Sequence, residues 1–325
     1  MAKLPAPVSI TRQLIFQHYE KRNEQGPRQH LGASEIGKKC DKELWLSFRW
    51  AQFPSFEGRM YRLFETGQRE EERFVSDLRN IGIEVSEGPR PGEQWSFSAC
   101  GGHFGGSMDG CGINIPEAPK TWHVLEFKTH NAKSFADLCA KGVKESKYQH
   151  WIQMQVYMHL SGMERALYMA KNKDNDDIYT ERIRYDKEAA KAAMERADKI
   201  ISSLTPPDGI SNNPGWYECK MCRFHGICHG NAVALPNCRT CSYVEAKPDG
   251  TWHCAWHEKT LDLNDQKNGC DHHLYLPMLL ANIAELVQAD GHSNVVTYRG
   301  KNGEIFRNGG DGYTSKQLWE LSTSE

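Results

Sequence analysis

Residues 124 to 131 read VLEFKTHN, an apolar and β-prone run in which Glu126 and Lys128 stand two apart. Side chains alternate along a strand, so this spacing puts the carboxylate and the ammonium on one face while Leu125 and Phe127 point into a core. Shortly before lies GGSMDG, residues 105 to 110, whose Asp109 belongs to the preceding strand and can sit across from the pair. Two carboxylates converging from neighbouring strands make an oxygen-rich site for a hard divalent cation such as magnesium or manganese. An adjacent ammonium orients a water or helps to deprotonate it, and the chemistry implied is hydrolysis of phosphodiesters. An isolated Glu-x-Lys on a surface strand is ordinarily a solvent-facing ion pair, so the motif needs support from the rest of the chain.

The composition bounds what can carry such a site. The chain has 325 residues, 39% apolar and 25% charged, which is ordinary for a globular protein and predicts one large domain followed by a smaller one. MAKLPAPVSI lacks a charged segment followed by an apolar stretch, and no run reaches the length of a membrane span, so a cytoplasmic location is expected. A net charge of −2 excludes a general polycation, and a nucleic acid must be met by a local groove that concentrates lysine and arginine. Lys38, Lys39, Arg49, Arg59, Arg62, Lys171 and Lys173 are candidates for such backbone contacts.

Periodicity then places the elements. SITRQLIFQHYEKRN and SEIGKKCDKELWLSFRW read as helices, each opened by a serine suited to capping, and MYRLFETGQREEERFVSDLRNIG continues in helix to about Gly82. QWSFSA, GSMDGCGINI and TWHVLEFKT read as three strands of an antiparallel meander. A helix follows from 143 in VKESKYQHWIQMQVYMHLSG, and a hairpin crosses DND between ERALYMAKNK and DIYTERIRYD. KEAAKAAMERADKIISSL is a helix with a polar face, and TPPDGISNNPGW breaks regular structure. Two cysteine-rich segments and a β-like tail, NVVTYRGKNGEIFRNG, complete the pattern.

The order Asp109, Glu126, Lys128 resembles the PD-(D/E)XK nuclease superfamily over residues from about 31 to about 230, with Met108 where the motif name has proline. Two flanking motifs extend the resemblance. In ETGQREEERF a glycine is followed four residues later by Glu71, as in RecB-like and phage recombination exonucleases, which implies a helical acid that completes the metal shell or orients its ligands. Glu70 and Glu72 are adjacent competitors. In YQHWIQMQVYMHL, Gln153 and Tyr157 lie one turn apart and face the same way, matching the Q-x3-Y helix of these relatives and implying contact with the substrate phosphate or support for the lysine. Each flanking motif alone reads as an ordinary amphipathic helix, but their order on a helix, strands, helix progression is hard to reach by chance.

The resemblance implies an α/β fold with a restriction-endonuclease-like core, a mixed sheet flanked by helices. It implies a Mg2+- or Mn2+-dependent DNA exonuclease in which Asp109, Glu126, the carbonyl of Phe127 and Glu71 hold the ions, Lys128 positions the water and Gln153 steadies the strand. The expected substrate is linear DNA, single- or double-stranded, in bacterial or phage recombination or repair. A single-strand annealing protein is a conceivable partner, and with no helicase P-loop in view a stand-alone enzyme is expected. Two other readings stay open: a non-catalytic DNA-binding scaffold on the same fold, and a site-specific endonuclease.

Seven of the 11 cysteines fall between 219 and 270, a bunching that suits metal ligation better than disulfides. Cys219, Cys222 and Cys228 form C-x2-C-x5-C and need a fourth ligand, for which Cys40 is the candidate. A lone upstream cysteine followed by that pattern resembles the iron-sulfur nucleases of the AddB type and of CRISPR adaptation. The resemblance implies a 4Fe-4S cluster that staples the two ends of the nuclease domain, while the donor set equally admits structural zinc. His225 and His229 read as surface residues. Cys238, Cys241, Cys254 and Cys270 form a zinc-ribbon-like set in which His257, His272 and His273 compete with Cys270 for the fourth position. Trp252, Trp256 and Tyr275 suit either base stacking or the ribbon's own small core. Cys100, Cys111 and Cys139 read as buried or half-buried thiols. The domain organisation expected is 1–234 for the nuclease and its staple, and 235–325 for the zinc-binding module with its β tail.

Overall fold

The structure is a computed structural model and describes residues 9–22 and 26–323; most of the MAKLPAPVSI segment lies outside them. Its first half runs α1 (Ile10–Arg22), β1 (Leu31–Gly32), α2 (Asp41–Phe48), α3 (Gly58–Asn80), β2 (Glu84–Ser86), β3 (Ser96–Ala99), β4 (Phe104–Ser107), β5 (Gly110–Ile113), β6 (His123–His130), α4 (Ala132–Ser146) and α5 (Tyr148–Ser161). It continues through β7 (Arg165–Asn172), β8 (Ile178–Arg184), α6 (Lys187–Ser202), α7 (Tyr217–Lys220), α8 (His225–His229), β9 (Val244–Ala246), β10 (Trp252–Cys254), β11 (Lys259–Thr260), α9 (Leu263–Asn268), β12 (Ala284–Asp290), β13 (Val295–Gly300), β14 (Ile305–Gly309) and α10 (Ser315–Thr323). No helix among the described residues is long and apolar enough to cross a membrane.

The fold is mixed α/β, built on a five-stranded sheet of order β2-β5-β6-β7-β8. β6 is its central strand, antiparallel to β5 and parallel to β7. Parallel neighbours need a crossover, and α4 and α5 supply it. On one side Leu125 and Phe127 pack with Phe74, Val75 and Leu78 of α3. On the other, Val124 joins the larger core with Met154 and Val156 of α5. A strand covered on both faces reads as a continuous apolar run, which explains VLEF. The hairpin across 173–177 is present as β7 and β8.

The structure departs from the sequence reading in instructive places. GSMDGCGINI is not one strand of a meander: β4 pairs with β3 and β1 in a separate three-stranded sheet, whereas β5 belongs to the central sheet. The chain changes sheets at Met108 and Asp109. The second predicted helix begins only at Asp41, because residues 33–39 turn against α5; a Cβ on Gly37 would come within 2.6 Å of the Gln149 Cα. The helix expected from 143 is two, and α4 begins well upstream of it. Gly142 has φ +75°, and the Glu181 carboxylate accepts the Val143 amide at 2.8 Å where the helix bends. β12, whose AELVQAD has no strong strand signature, is drawn into the sheet by pairing with β13.

One buried cluster runs unbroken from Leu31 and Trp45 through Phe224 to Trp252, Tyr275 and Tyr298, so the C-terminal elements share the core of the preceding ones. Arg49, expected to touch a DNA backbone, is instead fully buried in this region. Its guanidinium stacks on Trp45 and Trp252 and donates to the carbonyls of Ser203, Arg239 and Val244. Arg239 lies 3.5 Å from the Trp50 ring centre and bonds the Phe48 carbonyl and Gln266. Burying the planar cations is tolerable because carbonyls and ring faces replace much of the water, although Arg49 Nε has no partner. Trp252 and Tyr275 are core residues for the same reason of position, and neither is open to a base. Cys139, read as buried or half-buried, is exposed.

Candidate active site

The change of sheets at Asp109 points its carboxylate at the next strand. Asp109 Oδ2 accepts the backbone amide of Phe127 at 2.7 Å and lies 3.9 Å from Lys128 Nζ. Lys128 also pairs with Glu126 and donates to the Phe127 carbonyl at 3.0 Å. Glu126 is 0% exposed, and its Oε2 accepts Gln153 Nε2 of α5 at 3.1 Å. Glu71, on the last exposed turn of α3 before Phe74 enters the core, faces Asp109 and Lys128 closely enough for their charges to act on it.

Asp109 and Glu126 therefore meet one ammonium, and Glu71 lines the cavity that Asp109 borders. Burial, reinforced by Asp109, raises the Glu71 carboxyl to about 7. Burial likewise raises Glu126 to about 7 although Lys128 opposes it. Burial works against the charge of Lys128, but Glu126 and Asp109 outweigh it and hold the pKa above the ordinary lysine value. A lysine so placed is held as a cation by its acids, suited to orient a water and to donate a hydrogen bond. Protons shared among crowded carboxylates mark a site with too little positive charge, the condition a divalent ion relieves. As placed, no three His, Cys, Asp or Glu side chains among the described residues already form a metal-holding group; the donor types and their convergence fit one.

The neighbouring acids separate by geometry. Glu70 is taken by Lys171 at 2.6 Å, and Glu72 is exposed. Lys171, paired with both Glu70 and Asp176, is thereby withdrawn from the backbone contact expected of it. Lys38 is held between Glu35 and Glu43, and Lys39 pairs with Glu218. Arg59, Arg62 and Lys173 stand exposed. The Tyr157 hydroxyl donates to the Ser107 carbonyl at 2.8 Å and so anchors the chain two residues before Asp109, close enough to Glu126 and Asp109 for their charges to act on it. Beside the acids opens a cavity of about 790 Å3 bounded by Gln68, Glu71, Arg79, Asp109 and the loop 86–94.

Sequence reasoning missed the wall behind Lys128. The Tyr168 hydroxyl lies 2.9 Å from His130 Nε2 and 3.0 Å from His150 Nδ1, and Ser134 Oγ lies 3.1 Å from His130 Nδ1. Burial first, then nearby lysines, lowers His130 to about 4 and His150 to about 3, so both rings are neutral. One signal was available: His130 follows Lys128 by two and shares its strand face.

No family model and no curated protein matches the chain. Among solved structures it is similar to a protein designated SSO0001, at 17% identity over 68% of this chain and 96% of that one, with a TM-score of 0.42. It is also similar to the alkaline exonuclease LHK-Exo from Laribacter hongkongensis, at 17% identity over 58% of this chain and 90% of that one, with a TM-score of 0.38. A complex of LHK-Exo with dAMP matches to the same extent. At this distance the roles of residues rest on the geometry alone.

The cysteines fall into two groups. Cys40, at the N-cap of α2, lines one cavity of about 670 Å3 with Cys219, Cys222 and Cys228. The charges of these thiols act on one another, and burial raises the pKa of Cys219, Cys222 and Cys228. His225 and His229 line the same cavity rather than open surface, His225 Nδ1 lying 3.1 Å from the Cys219 carbonyl. Cys238, Cys241, Cys254 and Cys270 line a smaller cavity of about 100 Å3. Burial raises Cys238 to about 12, with the other three thiols adding to the effect. His273 Nε2 lies 3.2 Å from Thr240 Oγ1 and 3.0 Å from the Asn237 carbonyl, whereas its buried Nδ1 has no hydrogen-bond partner, and His272 stacks on Trp256. His257 also borders the cavity.

The raised acids carry a pH prediction. Folding lifts Glu71 from 4.5 to about 7, so the folded form holds the proton more tightly than the unfolded chain. That contribution is complete below the ordinary carboxylate range and is lost as pH rises through about 7. In EDTA the melting temperature is expected to fall over this window, Glu71→Gln to flatten the fall, and Mn2+ to restore stability above it. A flat profile for the wild type in EDTA contradicts the arrangement.

Proposed function

We propose that the protein is a Mg2+- or Mn2+-dependent deoxyribonuclease that shortens DNA from linear ends. The observation that carries the reading is the convergence of Asp109, Glu126 and Glu71 with Lys128 where the chain changes sheets. The ordered motifs of a PD-(D/E)XK nuclease support it from the sequence. Asp109, Glu126, Glu71 and the Phe127 carbonyl would hold the divalent ions, which when bound supply Lewis acidity to the phosphodiester and to water. Lys128 would donate to a phosphate oxygen or hold the attacking water by its lone pair. Gln153 fixes one oxygen of Glu126, and Tyr157 fixes the backbone ahead of Asp109. The neutral pair His130 and His150 closes the back of the site without competing for anions.

Cys40, Cys219, Cys222 and Cys228 would hold a 4Fe-4S cluster, with zinc as the other donor-compatible choice; their place on one shared cavity supports a common ligand. Cys238, Cys241, Cys254 and Cys270 would hold zinc, for which the small cavity and four sulfurs are suited. Both are structural in this reading, and a role in DNA recombination or repair follows from the exonuclease activity.

The deciding assay offers the purified chain and Mn2+ linear and circular DNA of identical sequence. Linear DNA is expected to be degraded and closed circles spared. Equal cutting of circles points to an endonuclease, and no hydrolysis of either overturns the proposal. For the ribbon, elemental analysis of the full chain is expected to show about one zinc fewer in Cys270→Ser than in the wild type. Unchanged zinc in that variant moves the fourth ligand to His257 or His273.

A further inference from the structure

We infer that the head formed by α1 and the first half of α3 is a docking site for single-stranded DNA, leading to the acidic site along one face of α3. For the direction in which it leads, this rests on the nuclease reading; for the binding itself it does not.

The head is built apart from the core. α1 has no buried residue and exists by leaning on α3, where Glu20 accepts the Gly58 amide at 2.6 Å and Arg22 pairs with Glu65 at 3.1 Å. Gly58 is required for this approach, since a Cβ there would lie 2.2 Å from the Phe16 carbonyl oxygen. Only the second half of α3 is anchored, by Phe74, Val75 and Leu78. The first half thus rests on α1 rather than on the core, with Arg59, Arg62, Phe64, Gln68 and Arg69 exposed.

What it presents is unusual for a solvated surface. Phe56, Tyr61 and Phe64 form an edge-to-face trio with ring centres 5.1 to 6.1 Å apart, and Phe56 and Phe64 remain 41% and 42% exposed. Around them, residues 10–22 and 56–69 carry six arginines and lysines against three glutamates, in a chain whose net charge is −2. Among the described residues Arg12, Arg59 and Arg62 have no carboxylate partner. Exposed rings interleaved with guanidiniums that carry no carboxylate, Arg12 lying over Phe16 and Arg62 over Tyr19, match a strand that offers both bases and phosphates. A duplex hides its base faces and can use only the charges.

The head is also continuous with the acids. Phe64, Gln68 and Glu71 are spaced by four and three, so they line one face of α3. Gln68 and Glu71 border the cavity that contains Asp109. From Phe64 to Glu71 is two turns, about 10 Å, so a base stacked on Phe64 has its backbone within a few nucleotides of the acids.

Binding is measured in EDTA, where no hydrolysis occurs, by fluorescence anisotropy of the full chain with labelled oligothymidylate and with a blunt duplex. Phe64→Ala is expected to weaken oligothymidylate about tenfold and the duplex little. Arg59→Glu with Arg62→Glu should weaken both and lower the salt slope on single strands by about one to one and a half. Melting temperatures are measured alongside, because Phe64 also packs on Phe56 and Tyr61 and Arg62 stacks on Tyr19; affinities are compared at a temperature where each variant is fully folded. Unchanged affinity in both variants overturns the inference, as does an equal loss on duplex for Phe64→Ala. A concentration-dependent dimer that Phe64→Ala dissolves also overturns it, since a second copy then covers the rings. If these shifts appear but Mn2+ elicits no hydrolysis, the docking site stands and the nuclease reading falls; hydrolysis without the shifts has the reverse meaning.

Discussion

Asp109→Asn, Glu126→Gln and Lys128→Ala are each expected to lower Mn2+-dependent hydrolysis of linear DNA by at least about a hundredfold while the chain still folds. The conservative replacements matter because Glu126 lies wholly buried between Lys128 and Gln153. Alanine there would leave a void and strip Gln153 of its acceptor, and so confuse instability with lost chemistry. Glutamine keeps the volume and a bond to its neighbours but removes the charge that would hold a cation. At Asp109 the asparagine oxygen can still accept the Phe127 amide, so the junction between the sheets is retained. Melting curves in EDTA establish folding, and rates at saturating Mn2+ establish chemistry. Wild-type rates in Asp109→Asn would mean the acids do not serve hydrolysis and would favour a DNA-binding scaffold.

The second large effect concerns Cys40, which precedes Cys219 by 179 residues and yet lines the same cavity. Closing a loop of that length costs the unfolded chain about 5 kcal/mol of entropy, so a ligand shared by both ends and present only in the native state acts as a staple. Cys40 begins α2, whose Trp45 and Arg49 reach the Ser203 carbonyl and whose Leu44 and Phe48 enter the core. Losing the staple should therefore loosen the region where the C-terminal elements dock. Protein purified without oxygen is expected to be brown with about four irons per chain, and Cys40→Ser to be bleached with a markedly lower melting temperature. Hydrolysis should fall only as far as the folded fraction falls, because thiolate-held iron has no part among the oxygen donors at Asp109. Full iron and stability in the variant remove Cys40 from the ligand set. Zinc without iron in the wild type makes the site a second structural zinc.

Local rules were enough to read much of this protein. Alternation along VLEFKTHN puts Glu126 and Lys128 on a common face, and helical spacing turns Gln153 and Tyr157 the same way, because both periods are properties of the backbone. The hairpin of β7 and β8 and the end of α3 near Gly82 were legible for the same reason. What lay beyond a local window was which partner each face meets. Glu70, Glu71 and Glu72 are equivalent acids in sequence, and only the packing of Phe74 and Val75 on β6 turns Glu71 toward Asp109 and Glu70 toward Lys171. The break between β4 and β5 is invisible in GSMDGCGINI, since each half is strand-like and the choice of sheet depends on distant pairing. Arg49 looks like any surface arginine until Trp45, Trp252 and three carbonyls from other segments close around it. Residue types and their periods thus determined the chemistry on offer, whereas contacts between segments far apart in the chain decided which groups are buried, paired or left free to act.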